Sequence, residues 1–327
     1  MSLGDILNGA FTYIRRNPKA TLGLAVLVMA VASLVQAIAF TAVMDEFFGV
    51  MRQIMVDPMA AEELDTMPTA GLGLSYGGAL LEILGRLVLV GLLTVVVGSA
   101  VLGRTVSMGQ AWEAARGRLP AVFGVVGLVL VASVVWLAAV AAAIMVGVVV
   151  ATAVDQILGV ILGLVGAAAT VGLGVWLYVR FALALPAVVL ERAGPLRALG
   201  RSWNLTAGSW WRIFGILLLA ELLIFLVTEI LMTPFSLGAA AVLFLGADTA
   251  WAAVVASALL FLGTLLLLAL TTPFTVGVTA LLYVDRRIRR EGLDLRLQTA
   301  QGDSTETRIE EIYAVPSTAS PSGGWGR

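Results

Sequence analysis

Six long runs of apolar residues, separated by short polar segments, constrain this chain more than any other feature. A helix needs about 20 apolar residues to span the hydrocarbon core of a membrane, and none of the runs shows the two-residue alternation of a barrel strand. Hydrophobic residues make up 60% of the 327 positions, more than the roughly 45–50% of soluble chains. The sequence therefore predicts an all-α membrane fold with six transmembrane helices, near 21–44, 74–103, 119–149, 156–185, 213–235 and 251–284.

The chain divides into two parts by composition. We expect residues 1–296 to form one six-span membrane domain. The segment 297–327 is polar and ends in STASPSGGWGR, and a composition this poor in apolar residues does not favour an ordered core. We therefore expect 297–327 to be a disordered cytoplasmic tail.

The basic residues are distributed very unevenly between the two sides of the predicted bundle. The segments before spans one, three and five and after span six hold nearly all of them, whereas the opposite loops hold only Arg52 and are acidic. Cytoplasmic loops carry the excess of Lys and Arg, so both termini are expected in the cytoplasm. The residues concerned are Arg15, Arg16, Lys19, Arg104, Arg116, Arg118, Arg192, Arg197, Arg201, Arg212, Arg286, Arg287, Arg289 and Arg290.

Three segments resemble one another when Gly4, Gly109 and Gly200 are aligned. They read SLGDILNGAFTYIRRNP, SMGQAWEAARGRLP and ALGRSWNLTAGSWW, and each precedes an odd-numbered span. The positions of Leu7, Trp112 and Trp203 coincide in this alignment, as do those of Leu3, Met108 and Leu199. The sequence therefore predicts three repeats, each an amphipathic interfacial helix followed by a membrane hairpin.

Such helices favour the headgroup layer of a membrane. Their Trp and Leu side chains insert among the lipids while arginines attract the anionic leaflet, at about 1 kcal/mol per basic residue. The alternative is that they only set the angles at which the spans enter the membrane. Nucleic-acid binding is not expected, because topology already explains the basic residues. The candidates for interfacial lipid contact are Trp112, Arg197, Arg201, Trp203, Trp210, Trp211 and Arg212.

Ionisable residues within apolar spans are the usual pointers to function in membrane proteins. Counting depth at about 1.5 Å per residue predicts two interhelical pairs, Arg86 with Glu229 and Arg180 with Glu221. They form either a proton relay or polar cavity, or ionic contacts that fix the register of spans two, four and five. The candidates are Glu82, Arg86, Arg180, Glu221 and Glu229.

Prolines and glycines predict local features of the spans. Pro186 and Pro234 are expected to interrupt the ends of spans four and five, and Pro273 to kink or break span six. Gly159 and Gly163 form a GxxxG motif, which favours close packing between helices.

Several kinds of chemistry lack the residues they need. The chain contains no Cys and no His, which excludes thiolate nucleophiles, imidazole bases and Cys/His metal sites. It also lacks a phosphate-binding P-loop. We expect no catalytic residue, no metal site and no cofactor, and hence a protein that is not an enzyme.

Residues 180–219, RFALALPAVVLERAGPLRALGRSWNLTAGSWWRIFGILLL, resemble the membrane domain that precedes the catalytic domain of some bacterial glycerophosphodiester phosphodiesterases. They also resemble related stand-alone actinobacterial integral membrane proteins. The resemblance extends over residues 1–290 and implies an integral membrane fold of unsettled role; it does not imply phosphodiesterase activity. We expect the protein in the bacterial cytoplasmic (inner) membrane. The resemblance rests on Arg180, Pro186, Glu191, Arg201, Ser202, Trp203, Leu205, Thr206, Trp211 and Arg212.

Three classes of function remain open at this point. The first is a non-catalytic scaffold or accessory protein that contacts membrane lipids and either a protein partner or a second copy of itself. The second is a small transporter or lipid-handling protein with an intramembrane polar site. The third is a membrane-bound enzyme.

Overall fold

A computed structural model describes residues 1–56, 69–246 and 249–292. The predicted tail, 297–327, and residues 57–68 between the first two spans lie outside the described residues. Within them the fold is helical throughout, without strands. The short helices are α1 (Leu3–Arg16), α4 (Met108–Arg116), α7 (Ala184–Glu191) and α8 (Pro195–Thr206); the long ones are α2 (Leu24–Val56), α3 (Thr69–Val101), α5 (Leu119–Ala153), α6 (Gln156–Phe181), α9 (Trp210–Leu245) and α10 (Ala250–Glu291).

The long helices are the six predicted spans. Over the described residues, six stretches are long and apolar enough to cross a membrane, so the prediction of a six-span, multi-pass membrane protein is confirmed. A π-helical turn, Lys19–Gly23, leads into α2. The spans run over Lys19–Met44, Gly73–Val101, Leu119–Ala153, Gln156–Glu191, Trp210–Leu245 and Trp251–Glu291.

The short helices begin where the sequence provides caps. Ser2 and Asp5 form a capping box at α1, and Ser107 and Gln110 form one at α4. In each box, the serine hydroxyl accepts from the backbone N–H of the residue three positions later, and the side chain of that residue accepts from the backbone N–H of the serine. These bonds satisfy N–H donors that have no partner at the start of a helix. The hydrogen bonds from the backbone and hydroxyl of Ser2 lower the pKa of Asp5. The third segment has no serine at this position, and α8 begins instead with Pro195 at its first position.

The six spans form three hairpins, α2–α3, α5–α6 and α9–α10. Helix α10 is central, since it also packs against α1, α2 and α3. The α5–α6 hairpin differs from the others: only 6% of the most apolar stretch of each of its spans is buried, against 50% for α3. It meets the rest of the bundle near the start of α5 and the end of α6, where Val122, Val125 and Val179 are buried.

The short helices pack mainly against spans other than the one that directly follows them. Helix α1 lies against α10, and α4 lies against α3. Helix α8 lies against α7 and the adjoining parts of α5 and α6. Helices α4 and α8 thus contact the hairpin that precedes them in the chain. Helix α1, which has no hairpin before it, contacts the last hairpin, α9–α10.

Prolines affect the spans less than the sequence predicts. The expected end of span five near Pro234 is wrong, because α9 continues through it to Leu245. The hydroxyl of Thr233 donates to the carbonyl of Glu229, one residue before Ile230, whose carbonyl loses its helical donor at Pro234. Pro273 also lies inside a continuous helix. Only near Pro186 does the chain break, between α6 and α7, as predicted.

The GxxxG motif packs within its own hairpin. A Cβ atom on Gly159 would lie 2.1 Å from the backbone nitrogen of Ala151, and one on Gly147 would lie 2.5 Å from Cα of Gly163. Glycine is therefore needed for α5 and α6 to approach this closely. The prediction of close helix packing is confirmed.

Candidate functional site

Charged side chains gather at one end of the bundle, which we call the arginine-rich end. Here the end of α6, helices α7 and α8, the start of α9 and the end of α10 meet. The group contains seven arginines but only three carboxylates, Glu191, Asp285 and Glu291. The arginines are Arg180, Arg201, Arg212, Arg286, Arg287, Arg289 and Arg290.

Glu191, the last residue of α7, is the centre of a buried network. Arg201 donates from Nε and Nη2 to its two carboxylate oxygens, at 2.7 and 2.5 Å. The hydroxyl of Tyr283 donates to the same carboxylate, and Nε of Arg287 lies 3.4 Å from it. The side chains of Glu191 and Arg287 are each only 2% exposed. Helices α7, α8 and α10 are thereby joined through one carboxylate.

Glu291 closes this network from the other side. Its carboxylate lies 2.7 Å from Nη1 of Arg201 and 2.9 Å from Nε of Arg287. Two carboxylates and two guanidinium groups thus alternate in a ring. Burial lowers the pKa of Arg201, but its hydrogen bonds to Glu191 and Glu291 outweigh burial and raise that pKa above its ordinary value. The ring has no net charge, which is the arrangement that burial of ions requires. We call these four residues and Tyr283 the Glu191 network.

Asp285 forms a second group with an excess of positive charge. Its buried carboxylate lies 2.7 Å from the amino group of Met1, 3.3 Å from Arg212 and 3.0 Å from Arg289. Arg212 also donates to the carbonyl of Met1, at 2.6 Å. These contacts connect α9 and α10 to the segment that leads into α1.

The remaining arginines satisfy the carbonyl groups at the end of α8. Arg286 donates from Nε to Leu205, at 3.1 Å, and Arg290 donates to the carbonyls of Asn204 and Ala207. The last carbonyls of a helix have no partner within it and carry partial negative charge. The arginines therefore provide the missing donors and complement the helix dipole.

Arg180 lies apart from these contacts. Its Cζ is 5.0 Å from the ring centroid of Trp176 and 4.7 Å from that of Trp203, and Nη1 donates to the carbonyl of Trp203 at 3.3 Å. Nε is buried and has no hydrogen-bond partner. Nearby, the hydroxyl of Ser202 donates to the carbonyl of Arg180 and accepts from the N–H of Leu183, at 2.6 and 3.2 Å, which satisfies the backbone at the break between α6 and α7.

The two interhelical pairs that depth counting predicts are not formed. Arg86 instead lies 3.4 Å from Glu82, one turn away on α3, because α3 packs against α2 and α10 while α9 packs chiefly against α10. Glu229 is exposed on α9. Glu221 accepts from the hydroxyl of Tyr178 at 3.4 Å, whereas Arg180 is held by the two tryptophans.

The interfacial candidates separate into two groups. Trp112, Arg197 and Trp211 are exposed, and Trp203 is partly so. Trp210 stacks on Phe214 and donates to the carbonyl of Trp176, at 3.3 Å. Arg201 and Arg212, in contrast, form the ion pairs described above. Their side chains therefore hold helices together within the chain.

Several residues of these networks were not among the predicted site residues. Sequence patterns place Arg287 only among the basic residues after span six, and no prediction covers Asp285 or Glu291. A signal was present, since Asp285 with Arg289 and Arg287 with Glu291 have the four-residue spacing of helix ion pairs. No group of three or more potential metal-ligating residues occurs in the described part of the chain.

Comparison with known proteins identifies a family without a described activity. No curated protein matches the chain, and no solved structure does. A family model described as a domain of unknown function, DUF7847, matches residues 1–286. This segment includes all the short helices, the first five spans and nearly all of the sixth. The chain therefore belongs to the DUF7847 family.

Proposed function

We propose that the protein is a non-catalytic membrane scaffold that holds three helical hairpins together at the cytoplasmic face and contacts lipids there. The observation that carries this proposal is the Glu191 network. Glu191 and Arg287 are buried, and all four charges of the network pair with one another, so they stabilise the fold and leave no charged group unpaired. A transport or catalytic site needs ionisable groups that a substrate can reach.

The arrangement of the hairpins supports a scaffold. The ionic contacts join α7 and α8, which follow the α5–α6 hairpin, to the α9–α10 hairpin and to the segment before α1. The α5–α6 hairpin itself stays largely exposed beyond its first turns. Its apolar side chains, such as Val131 and Val134, require lipid or another transmembrane helix as neighbours. We propose that this hairpin is the surface through which the scaffold contacts its surroundings.

The position in the cell follows from the same charges. We propose that the arginine-rich end faces the cytoplasm of a bacterium, with both termini on that side of the inner membrane, because basic residues are retained there. The exposed Trp112, Trp203 and Trp211 support an interfacial position for α4, α8 and the start of α9.

We also propose that the three units are internal repeats. In the alignment of Gly4, Gly109 and Gly200, the second residue after each glycine is buried, and so is the sixth. The packing of each short helix against a different hairpin supports the same conclusion. We propose in addition that the chain is related to the phosphodiesterase membrane domains, because Arg180, Glu191 and Arg201 of the shared pattern all make contacts within this fold. The equivalent buried residues are Ile6, Ala111 and Ser202, and Ala10, Ala115 and Thr206.

Native mass spectrometry of the full chain, extracted in its own lipids, tests the scaffold. We expect a second protein or a second copy in a fixed ratio, retained in wild type and in the Glu229→Gln variant. Substitution of Val134 by Arg should release that subunit, while Ile230→Arg, an equally exposed site on α9, should not. A chain that is monomeric in all of these preparations would contradict the scaffold.

A lipid-handling protein is the second candidate. The observation that favours it is the exposure of Glu221 and Glu229 on the apolar surface of α9, since carboxylates within a membrane usually line a polar pathway. The test reconstitutes the protein in vesicles that contain a fluorescent phospholipid and measures its transfer between leaflets. Transfer that is faster than in protein-free vesicles and is lost in Glu221→Gln and Glu229→Gln would favour this function over the scaffold.

A further inference from the structure

We infer that Arg180, together with Trp176 and Trp203, binds the phosphate of an anionic phospholipid headgroup. This inference rests on the proposed contact of the scaffold with lipids and names the site and the lipid class. We call these three residues the Arg180 site.

The two tryptophans hold the guanidinium group in place. The ring centroids of Trp176 and Trp203 are 5.2 Å apart and their planes are nearly perpendicular, at 89°. The guanidinium carbon lies about equally far from both rings. Cation–π contacts with indole rings are the strongest of their kind. The arginine is therefore preorganised, so that binding an anion costs little additional side-chain entropy.

One edge of the guanidinium group is unused. Nη1 donates to the carbonyl of Trp203, but neither Nε nor Nη2 has an acceptor among the described residues, and no described carboxylate pairs with Arg180. Glu221, the acid expected beside it, accepts from Tyr178 instead. Nε is enclosed by its surroundings, whereas Nη2 is the donor that a phosphate oxygen can reach. A charged hydrogen bond from Nη2 to a phosphate would pair the cation with an anion.

The surroundings favour a lipid over a soluble phosphate. Along the face of α6 that carries Arg180, helical spacing places Leu173, Val165 and Leu162, which are all exposed. These side chains form an apolar track that leads from the arginine toward the middle of the span. A headgroup at Arg180 would place its acyl chains along this track. Trp203 is partly exposed beside it, as is usual for tryptophan at the membrane interface.

The charge of the region selects an anionic headgroup. The arginines of the arginine-rich end outnumber its carboxylates, and the Asp285 group in particular carries excess positive charge. Each basic residue near the surface attracts anionic lipid. A headgroup with net negative charge is therefore favoured over a zwitterionic one.

The test measures lipid binding to the full chain by native mass spectrometry. The protein is delipidated in detergent and titrated with phosphatidylglycerol or with phosphatidylcholine. We expect phosphatidylglycerol to bind more tightly, and Arg180→Gln to weaken its binding about ten-fold or more, since it loses charged hydrogen bonds. The matched control is Arg116→Gln, which removes an exposed arginine from α4 and should weaken binding far less than Arg180→Gln.

A second variant distinguishes a loss of lipid binding from a loss of folding. Arg180→Lys keeps the charge but loses the planar guanidinium group that lies over the two indole rings, and we expect binding between that of wild type and Arg180→Gln. Equal binding in wild type, Arg180→Gln and Arg180→Lys would overturn the assignment, as would an equal loss in Arg116→Gln. Displacement of the lipid by glycerol 3-phosphate at similar concentration would assign the site to a soluble phosphate. A retained protein subunit has a separate mass, so the scaffold and the lipid site are judged independently.

Discussion

The carboxylate of Glu191 and the guanidinium group of Arg287 lie 3.4 Å apart at the junction of α7 and α10, both almost completely buried. The two residues are 96 positions apart in sequence. Their contact, shared with Arg201 and Glu291, is the point at which the middle of the chain is joined to its last span.

Glu191→Gln should destabilise the fold strongly. The substitution leaves Arg201 and Arg287 with one charged partner, Glu291, and loss of one partner of a buried ion pair costs about 3 kcal/mol or more. We expect a clear decrease in the midpoint of SDS-induced unfolding. Glu113→Gln makes the same chemical change at an exposed position of α4 and should have little effect. Equal stability of the two variants would show that the network does not hold α7 to α10.

Gly159→Ala should weaken the α5–α6 hairpin. The new Cβ would lie 2.1 Å from the backbone of Ala151, so the helices must separate, at a cost of about 1–3 kcal/mol. Gly172→Ala, in the same helix, meets no atom within 4 Å and should be neutral or stabilising, because alanine favours helix over glycine. Thermal unfolding of both variants in detergent checks this. A hairpin that accepts both substitutions equally would not have the close approach at Gly159.

A disulfide should form between α2 and α10 in the double variant Thr41→Cys, Ser257→Cys. The hydroxyl oxygens of these residues are 2.5 Å apart, close to the sulfur separation of a disulfide, about 2.05 Å. Because the chain has no cysteine of its own, only the introduced pair can form one. The control pair, Thr41→Cys with Val255→Cys, moves the second cysteine to an exposed position on α10. Intact mass under non-reducing conditions reports the bond, and its absence from the first pair would contradict this register of spans one and six.

Tyr13→Phe should change how stability depends on pH in the alkaline range. Burial raises the pKa of Tyr13 well above its ordinary value, and its hydroxyl donates to the carbonyl of Pro273. In the unfolded chain the phenol ionises near pH 10. Its contribution to folding is therefore complete below about pH 10 and decreases as the pH rises further.

The Tyr13→Phe variant has no phenol at this position and so lacks the titration above pH 10. It should be less stable than wild type near pH 7, by about 1 kcal/mol for the lost hydrogen bond, and the difference should narrow above pH 10. Unfolding midpoints of both proteins from pH 7 to 11 measure this. A constant difference over that range would contradict the burial of Tyr13.

The spans and short helices were predictable because local patterns determine them. An apolar run of more than 20 residues allows few structures besides a transmembrane helix. The serine at position 2 or 107, three residues before Asp5 or Gln110, predicts a helix start from neighbouring residues alone. Proline was less informative. Its effect depends on the packing around it, since α9 and α10 both continue through an internal proline.

The charge contacts were not predictable by depth alone. Equal depth brings two side chains together only if their helices are neighbours and their faces meet, and neither condition can be derived from an isolated span. Arg86 found a partner on its own helix, Glu82. Arg180 lies over the ring of Trp203, a residue of α8, rather than beside Glu221. The Glu191 network required knowing that α7 ends beside α10.

The packing of α1 against α10 has a consequence for the order of assembly. Tyr13 and Ala10 lie against Gly277, more than 260 residues further along the chain. During synthesis α1 emerges long before α10, and its binding surface forms only when the sixth span has entered the membrane. Contacts this distant in sequence form slowly, so until then the apolar face of α1 must be covered by another surface, and the adjacent lipid is available for this. Closure of α1 onto α10 would then mark the assembly of the six-span bundle.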